Sequence, residues 1–173
     1  MPGRALAARL SFLLTLMLAG CSAQQQMSSP ASSCLVSRVS DGDSFRCADG
    51  RRVRLIGMDS PESGQQPFGA SARAALLQLL PIGSSVRLEP DVAPSDQYGR
   101  SLAYVWVGST LVNEAMVREG WAVLYTVPPN VKYAERLAAA QDEARARGTG
   151  LWSQHGFECL PSDFRKKRCV NPP

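Results

Sequence analysis

The 173-residue chain holds one histidine, His155, and no two cysteines at C-x-x-C spacing. That excludes a zinc centre, whose thiolate and imidazole ligands come in closely spaced sets. No internal repeat is present, which leaves out the solenoids and propellers. The N-terminal apolar run, 10–19, covers ten residues. A membrane-spanning helix needs about 20 to cross roughly 30 Å of hydrocarbon, so this run is no resident span. A large charge of one sign is also missing. The net charge is +4, and it falls to +2 without residues 1–20, which hold Arg4 and Arg9 and no acid. Bulk charge therefore does not argue for nucleic-acid binding, and only local clustering could. The length fits one domain with an appendage, long enough to bury a core.

The chain opens with a targeting pattern: a positive region around Arg4 and Arg9, the short apolar run, then Leu18-Ala19-Gly20-Cys21. The tetrapeptide resembles a bacterial lipobox, which implies cleavage before Cys21 and lipidation of its sulfur. A plain secretory signal with an incidental Cys is the alternative. Several acyl chains anchor stably where a single one does not. The resemblance places the protein outside the cytoplasm on the cell envelope, and Ser22 after the Cys favours the outer membrane over the inner. Residues 21–33 then form a lipidated Cys and a flexible tether with a reach of roughly 20 Å. Four cysteines remain: Cys34, Cys47, Cys159 and Cys169. In an oxidising compartment disulfides are the default. Of the three pairings, spacing favours Cys34 with Cys47 across a turn, and Cys159 with Cys169 around a short loop.

Period-two alternation and breakers divide the rest of the chain. Strands are expected over 34–40, 44–48, 51–58, 84–89 and 101–107. Helices are expected over 70–80, 111–119 and 132–147, with Pro81, Gly120 and Gly148 as their stops. Residues 59–68 and 90–99 read as loops, and 121–127 as irregular or extended. Five strands with a helix between the third and fourth suit a small five-stranded OB-type Greek-key barrel with three α-helices, an α+β fold that is mainly β. The fold alone gives no activity.

The stretch VSDGDSFRCADGRRVRLIGMDSPE, from Val39 to Glu62, carries the chemistry. Asp49-Gly50 is a type I′ hairpin signal. With that pair as the turn, Ala48 faces Arg51, Phe45 faces Arg54 and Asp43 faces Ile56. Asp43 and Arg54 become diagonal neighbours, roughly 7–8 Å apart. The same register turns Asp59 to the opposite face from Asp43. A site shared by both acids then needs a bend near the strand end, and Gly57 allows one. Asp41-Gly42-Asp43-Ser44 taken alone reads as a turn, and it fails the EF-hand pattern at Phe45 and Arg46. Arg54 changes that balance, because a guanidinium inside an apolar strand needs an anionic partner. Its structural alternative is a salt bridge to Asp43. Asp96-Gln97-Tyr98-Gly99-Arg100 places an aromatic and a second arginine just before the fifth strand.

DGDS, VRLIGMDSPE and DQYGR, in this order and spacing, resemble the thermonuclease (staphylococcal nuclease) family. The similarity continues through LVNEAMVREGWA to GLWS and covers residues 34–153. It implies an OB-type barrel and calcium-dependent hydrolysis of DNA and RNA that leaves 3′-phosphates. It also implies a monomer and sequence-nonspecific substrates, single-stranded or locally melted. Carried over by motif, Asp43 and Asp59 are the Ca2+ carboxylates and Ser60 supplies a carbonyl. Arg54 and Arg100 grip the scissile phosphate, Glu62 orients or deprotonates the attacking water, and Tyr98 and Tyr125 line the nucleotide pocket. Ser60 replaces the usual Thr, harmless if only its carbonyl binds. Gln97 stands where Lys is common, and Val127 where the best-known member has Tyr. The loop from Glu62 to Phe68 is shorter than in that member.

Residues 154–173 read as a basic, Cys-containing tail, with Arg165-Lys166-Lys167-Arg168 solvated rather than gripping nucleic acid. Trp106, Trp121 and Trp152 read as core. The rival functions are a non-catalytic OB-fold nucleic-acid-binding lipoprotein and a structural envelope lipoprotein.

Overall fold

The computed structural model describes residues 31–169. The leader expected over 1–20, Cys21 and most of the tether lie outside the described residues. In chain order the elements are strands β1 (Ser32–Val39), β2 (Ser44–Cys47), β3 (Arg52–Leu55) and β4 (Gly57–Asp59), helix α1 (Phe68–Leu79), and strands β5 (Ser85–Glu89), β6 (Ser101–Val107) and β7 (Thr110–Leu111). Helix α2 (Val112–Arg118), strand β8 (Val123–Tyr125), helix α3 (Ala134–Arg147), a 3-10 turn (Gly150–Gln154) and helix α4 (Pro161–Arg165) complete the chain.

β3, β2, β1, β5 and β6 hydrogen-bond in that order, and β3 returns to β6 in parallel, closing a five-stranded barrel. The inward side chains are all buried, Cys34, Val36 and Val39 on β1, Phe45 and Cys47 on β2, Val53 and Leu55 on β3, and their alternation is interrupted only on β1, where the register shifts between Val36 and Arg38. α1, α2 and α3 cover the rest, and Leu76, Met116, Leu137 and Ala140 join one continuous core. Burying a Leu- or Phe-sized side chain contributes about 1.5–3 kcal/mol, so this cluster holds the barrel mouth in place. The stripe expected on α3, Leu137, Ala140 and Ala144, is buried, and Gly148 caps the helix in the left-handed region at φ 60°.

The structure corrects several expectations. The hairpin register is offset by one: Ser44 pairs with Arg54, Phe45 with Val53 and Arg46 with Arg52. Asp43 therefore faces Leu55, whose N–H donates to the Asp43 carbonyl at 2.9 Å. The loop has three residues, Ala48-Asp49-Gly50, because the Asp49 carboxylate accepts from the Arg51 N–H and Gly50 takes φ 89° at the third position. The tether ends sooner than Ser33, since Ser32 and Ser33 pair with Leu88 and Arg87 in β1. The single strand expected over 51–58 is two, β3 and β4, broken at Ile56. Of the two alternatives for residues 121–127, irregular or extended, the second holds at β8, which pairs antiparallel with β4. Among the described residues the α-helices number four rather than three, because the tail forms α4 and packs onto the domain.

Candidate active site

Gly57 makes the site. It sits at φ 80°, a left-handed conformation that L side chains rarely adopt, and a Cβ there would fall 2.5 Å from Leu137. This bend ends β3 and redirects β4. As a result Asp59, three residues on from the break, returns to the side chain of Arg54 instead of pointing away from it. Asp43 reaches the same place by another route. It stands in the bend before β2, where Asp41 Oδ1 accepts from the Asp43 N–H at 3.1 Å and from the Ser44 hydroxyl at 2.7 Å. Outside the strand, alternation no longer dictates its direction.

Arg54 joins the two acids. Its Nη1 lies 2.5 Å from Asp43 Oδ2 and its Nη2 2.8 Å from Asp59 Oδ1. The Nη1 contact is an ion pair without hydrogen-bond alignment, and among the described residues this buried atom has no aligned acceptor. The side chains are well covered: Arg54 is 12% exposed and Asp59 1%. Burial works against the Arg54 charge, but Asp43 and Asp59 outweigh it and its pKa rises. Burial first, and then the charge of Asp43, push the Asp41 carboxyl up to about 6. Negative charge is crowded here.

Ser60 does more than offer a carbonyl. Its backbone N–H and its hydroxyl both donate to Asp43 Oδ2 at 3.0 Å, fixing that carboxylate from the far side. The condition on which the Ser for Thr change is harmless, that only the carbonyl is used, is not met, because the hydroxyl also holds Asp43. Glu62 stands on the loop after β4, its N–H donated to the side-chain oxygen of the wholly buried Gln65 at 2.9 Å. Arg100 is held by Asp96, through Nε at 2.7 Å, while the Asp96 carboxylate also accepts the Tyr98 and Arg100 backbone N–H groups. The DQYGR stretch is thus a turn folded around one aspartate.

Two cavities meet along Arg54, Tyr98 and Arg100. One, of about 490 Å³, is charged and adds Asp41, Asp43, Glu62 and Arg165 to its walls. The other, of about 440 Å³, is mainly apolar and adds Tyr125, Val127, Pro128 and Pro129. A chamber for phosphate beside a slot for a nucleoside is what this division can provide. Tyr98 and Tyr125 are exposed, 64% and 42%, and so are free to stack. Val127 contributes an exposed aliphatic wall in place of a ring.

The residues brought together are therefore Asp43, Arg54, Asp59, Ser60, Glu62, Tyr98 and Arg100, with Tyr125 in the adjoining slot. Cys34 is bonded to Cys47 and Cys159 to Cys169. Arg165 corrects the solvated-tail expectation: its guanidinium holds Asp59 and Glu62. Sequence reasoning also missed Gln65, one of two adjacent glutamines in a polar loop that carries no local mark of its burial. Asn113 is a third. Buried in α2, it accepts from the Val105 N–H at 2.8 Å and donates to the Ile56 carbonyl at 2.8 Å, bracing the turn at Gly57.

Among the described residues no three His, Cys, Asp or Glu side chains converge on one point. The donors still suit a hard cation. Asp43 and Asp59 offer carboxylate oxygens across one guanidinium, and calcium takes six to eight oxygens, several from water. Asp41, two residues from Asp43, adds a further carboxylate to the wall of the same chamber.

The family model described as Staphylococcal nuclease homologue matches residues 52–154. That span holds Arg54, Asp59, Ser60, Glu62, Tyr98, Arg100 and Tyr125, while Asp43 lies ahead of it. A thermonuclease of Staphylococcus intermedius is 40% identical over 128 residues, covering 69% of this chain and 76% of its own length. A thermonuclease of Staphylococcus hyicus is 40% identical over 126 residues, 68% and 74%. Endonuclease YncB of Bacillus subtilis (strain 168) is 34% identical over 130 residues, 69% and 61%.

Proposed function

The chain belongs to the staphylococcal nuclease homologue family, and from that premise we propose that it is a nuclease, a calcium-dependent phosphodiesterase acting on DNA and RNA and leaving 3′-phosphates. One observation carries the reading: Arg54 stands between Asp43 and Asp59 at the wall shared by a charged chamber and a nucleoside slot.

Asp43 and Asp59 would hold the calcium ion, with the Ser60 carbonyl beside them. When bound, the ion supplies positive charge against the oxygens of the phosphate. Arg54 and Arg100 supply the rest. In-line attack concentrates negative charge on the equatorial oxygens, and a planar guanidinium meets two of them at once. Glu62 accepts the proton of a water one hydrogen bond away. The water oxygen bonds phosphorus, the bond to the 5′-oxygen breaks, that oxygen takes a proton from solvent and leaves as the 5′-hydroxyl, and the phosphate stays on the 3′ side. Tyr98 and Tyr125 orient the base in the adjoining slot, and their unselective faces support sequence-nonspecific cutting.

The sequence of the leader and the two disulfides support an extracytoplasmic, lipid-anchored enzyme, since such bonds persist in oxidising compartments. The test is digestion of plasmid DNA and of RNA with CaCl2 and then with a chelator, followed by end-group analysis. Calcium-dependent loss of both substrates with 3′-phosphate ends is the expected result. Binding without cutting would instead favour a non-catalytic OB module.

A further inference from the structure

Asp59 is claimed twice. Besides Arg54, the Arg165 guanidinium takes it in a bidentate fork, Nη1 to Oδ1 at 3.0 Å and Nη2 to Oδ2 at 2.8 Å, and extends Nη1 to Glu62 Oε1 at 2.5 Å. The two carboxylates assigned above to holding the cation and activating water are thus both neutralised by one side chain from the far end of the chain.

The segment that carries Arg165 is built onto the site. Gln65 receives the Glu62 N–H and donates its own side-chain N–H to the Cys159 carbonyl at 3.0 Å, so one wholly buried amide ties the Glu62 loop to the base of the tail. The Cys159–Cys169 disulfide closes the tail into a ring. Phe164 lies over Gly64, where a Cβ would meet its ring at 3.2 Å, so a side chain at that position would lift the tail. Only the end of Arg165 is loose. Its side chain is 40% exposed, against 1% for Asp59, so the guanidinium can leave while the backbone stays.

We propose that Arg165 is a tethered counter-cation that competes with the metal for Asp59 and Glu62, so that the divalent ion must displace it before the site is loaded. The inference rests on the metal-site reading above. Geometry gives the competition. The guanidinium fork and Arg54 together take three of the about four lone-pair directions of Asp59, and the same guanidinium occupies Glu62 Oε1. The tether gives it strength, because a cation held by a closed ring acts at a high effective concentration. Arg165 is in this sense a positioning residue acting through Asp59 and Glu62, and its effect on affinity has a definite sign.

The experiment is calorimetric titration of the metal-stripped, disulfide-intact protein with CaCl2, wild type against Arg165→Ala and Arg165→Lys. Loss of the competitor should tighten calcium binding by about tenfold in Arg165→Ala. Arg165→Lys should fall between, since one ammonium cannot span both oxygens of Asp59 and Glu62 together. The Cys159→Ser/Cys169→Ser double variant keeps the arginine but opens the ring, and should also tighten binding. A merely structural role predicts the reverse, weaker binding in Arg165→Ala, and that result or an unchanged affinity would overturn the proposal alone. No calcium binding by any of the proteins, each first shown folded by circular dichroism, would overturn the metal-site reading and this proposal with it.

Discussion

Arg54 needs its planar fork twice, once to span Asp43 and Asp59 and once to present an N–H to the phosphate. Lysine keeps the charge but offers a point donor on a flexible stem. In Arg54→Lys the ammonium can pair with one of the two acids, leaving the other underneutralised in a covered site. Turnover should fall about 10²–10³-fold, as when a single donor to a developing oxyanion is lost. Steady-state kinetics on a defined oligonucleotide checks this, and near-normal turnover would mean that bidentate contact is not required. Glu62 separates differently, because it is assigned to the water and not to the ion. Glu62→Gln should lower turnover about 10²–10⁴-fold and leave calcium affinity within a few-fold. A titration showing the larger loss in affinity would make Glu62 a direct ligand. These side chains were legible in the sequence because DGD, DSPE and DQYGR carry their chemistry within a few residues. The Ser60 hydroxyl, Gln65 and Asn113 were not. Each is defined by a partner on another element, such as Asp43 for Ser60 and Cys159 for Gln65, and nothing local marks them.

At the scale of elements, the turn at Gly57 decides whether two acids on one ribbon can meet. The need for a bend there was readable from a glycine placed between an apolar strand and an acidic motif. The hairpin register was not, because Asp-Gly serves both a two-residue and a three-residue loop. The choice fell to the Asp49 carboxylate capping Arg51, a side-chain interaction invisible to a pattern. β8 escaped for a related reason: Val123–Tyr125 is three residues long and shows no alternation until β4 supplies its partner. α4 was hidden likewise, since five residues generate no helical period. Gly57→Ala tests the bend. The added methyl would be forced into the left-handed region, at about 1–2 kcal/mol, and would press on the buried Leu137. A loss of about 2–4 kcal/mol in urea unfolding is expected, with activity at saturating substrate lowered further, because Asp59 is displaced from Arg54. Full activity per folded molecule would show that β4 finds its course without the glycine.

For the whole molecule, the barrel and the site are coupled by ligand. The charged chamber opens on a seam where β3, the loop after β4 and the turn before β6 converge, so a ligand spanning it ties elements that unfold together. Anything bound by the folded state alone raises its stability, by about 2.7 kcal/mol at a hundredfold excess over Kd. Calcium with a nucleoside 3′,5′-bisphosphate should therefore raise the melting temperature by several degrees. A shift of zero, read by differential scanning calorimetry, would return the acids to being turn residues of a structural protein.

The anchor is a separate matter of address. β1 begins at Ser32, and residues 22–31 lie between it and Cys21. On the proposed lipidation, the Cys21 sulfur is the point of attachment; among the described residues no helix is long and apolar enough to cross a membrane. Cys21→Ser removes the acceptor sulfur and leaves the four disulfide cysteines alone. The wild type should sediment with carbonate-washed membranes and enter the detergent phase of a Triton X-114 partition. The variant should leave both fractions with its specific nuclease activity within about twofold of the wild type, since nothing in the site depends on the anchor. Retention of the variant in the detergent phase would show that the hold on the membrane lies elsewhere in the chain.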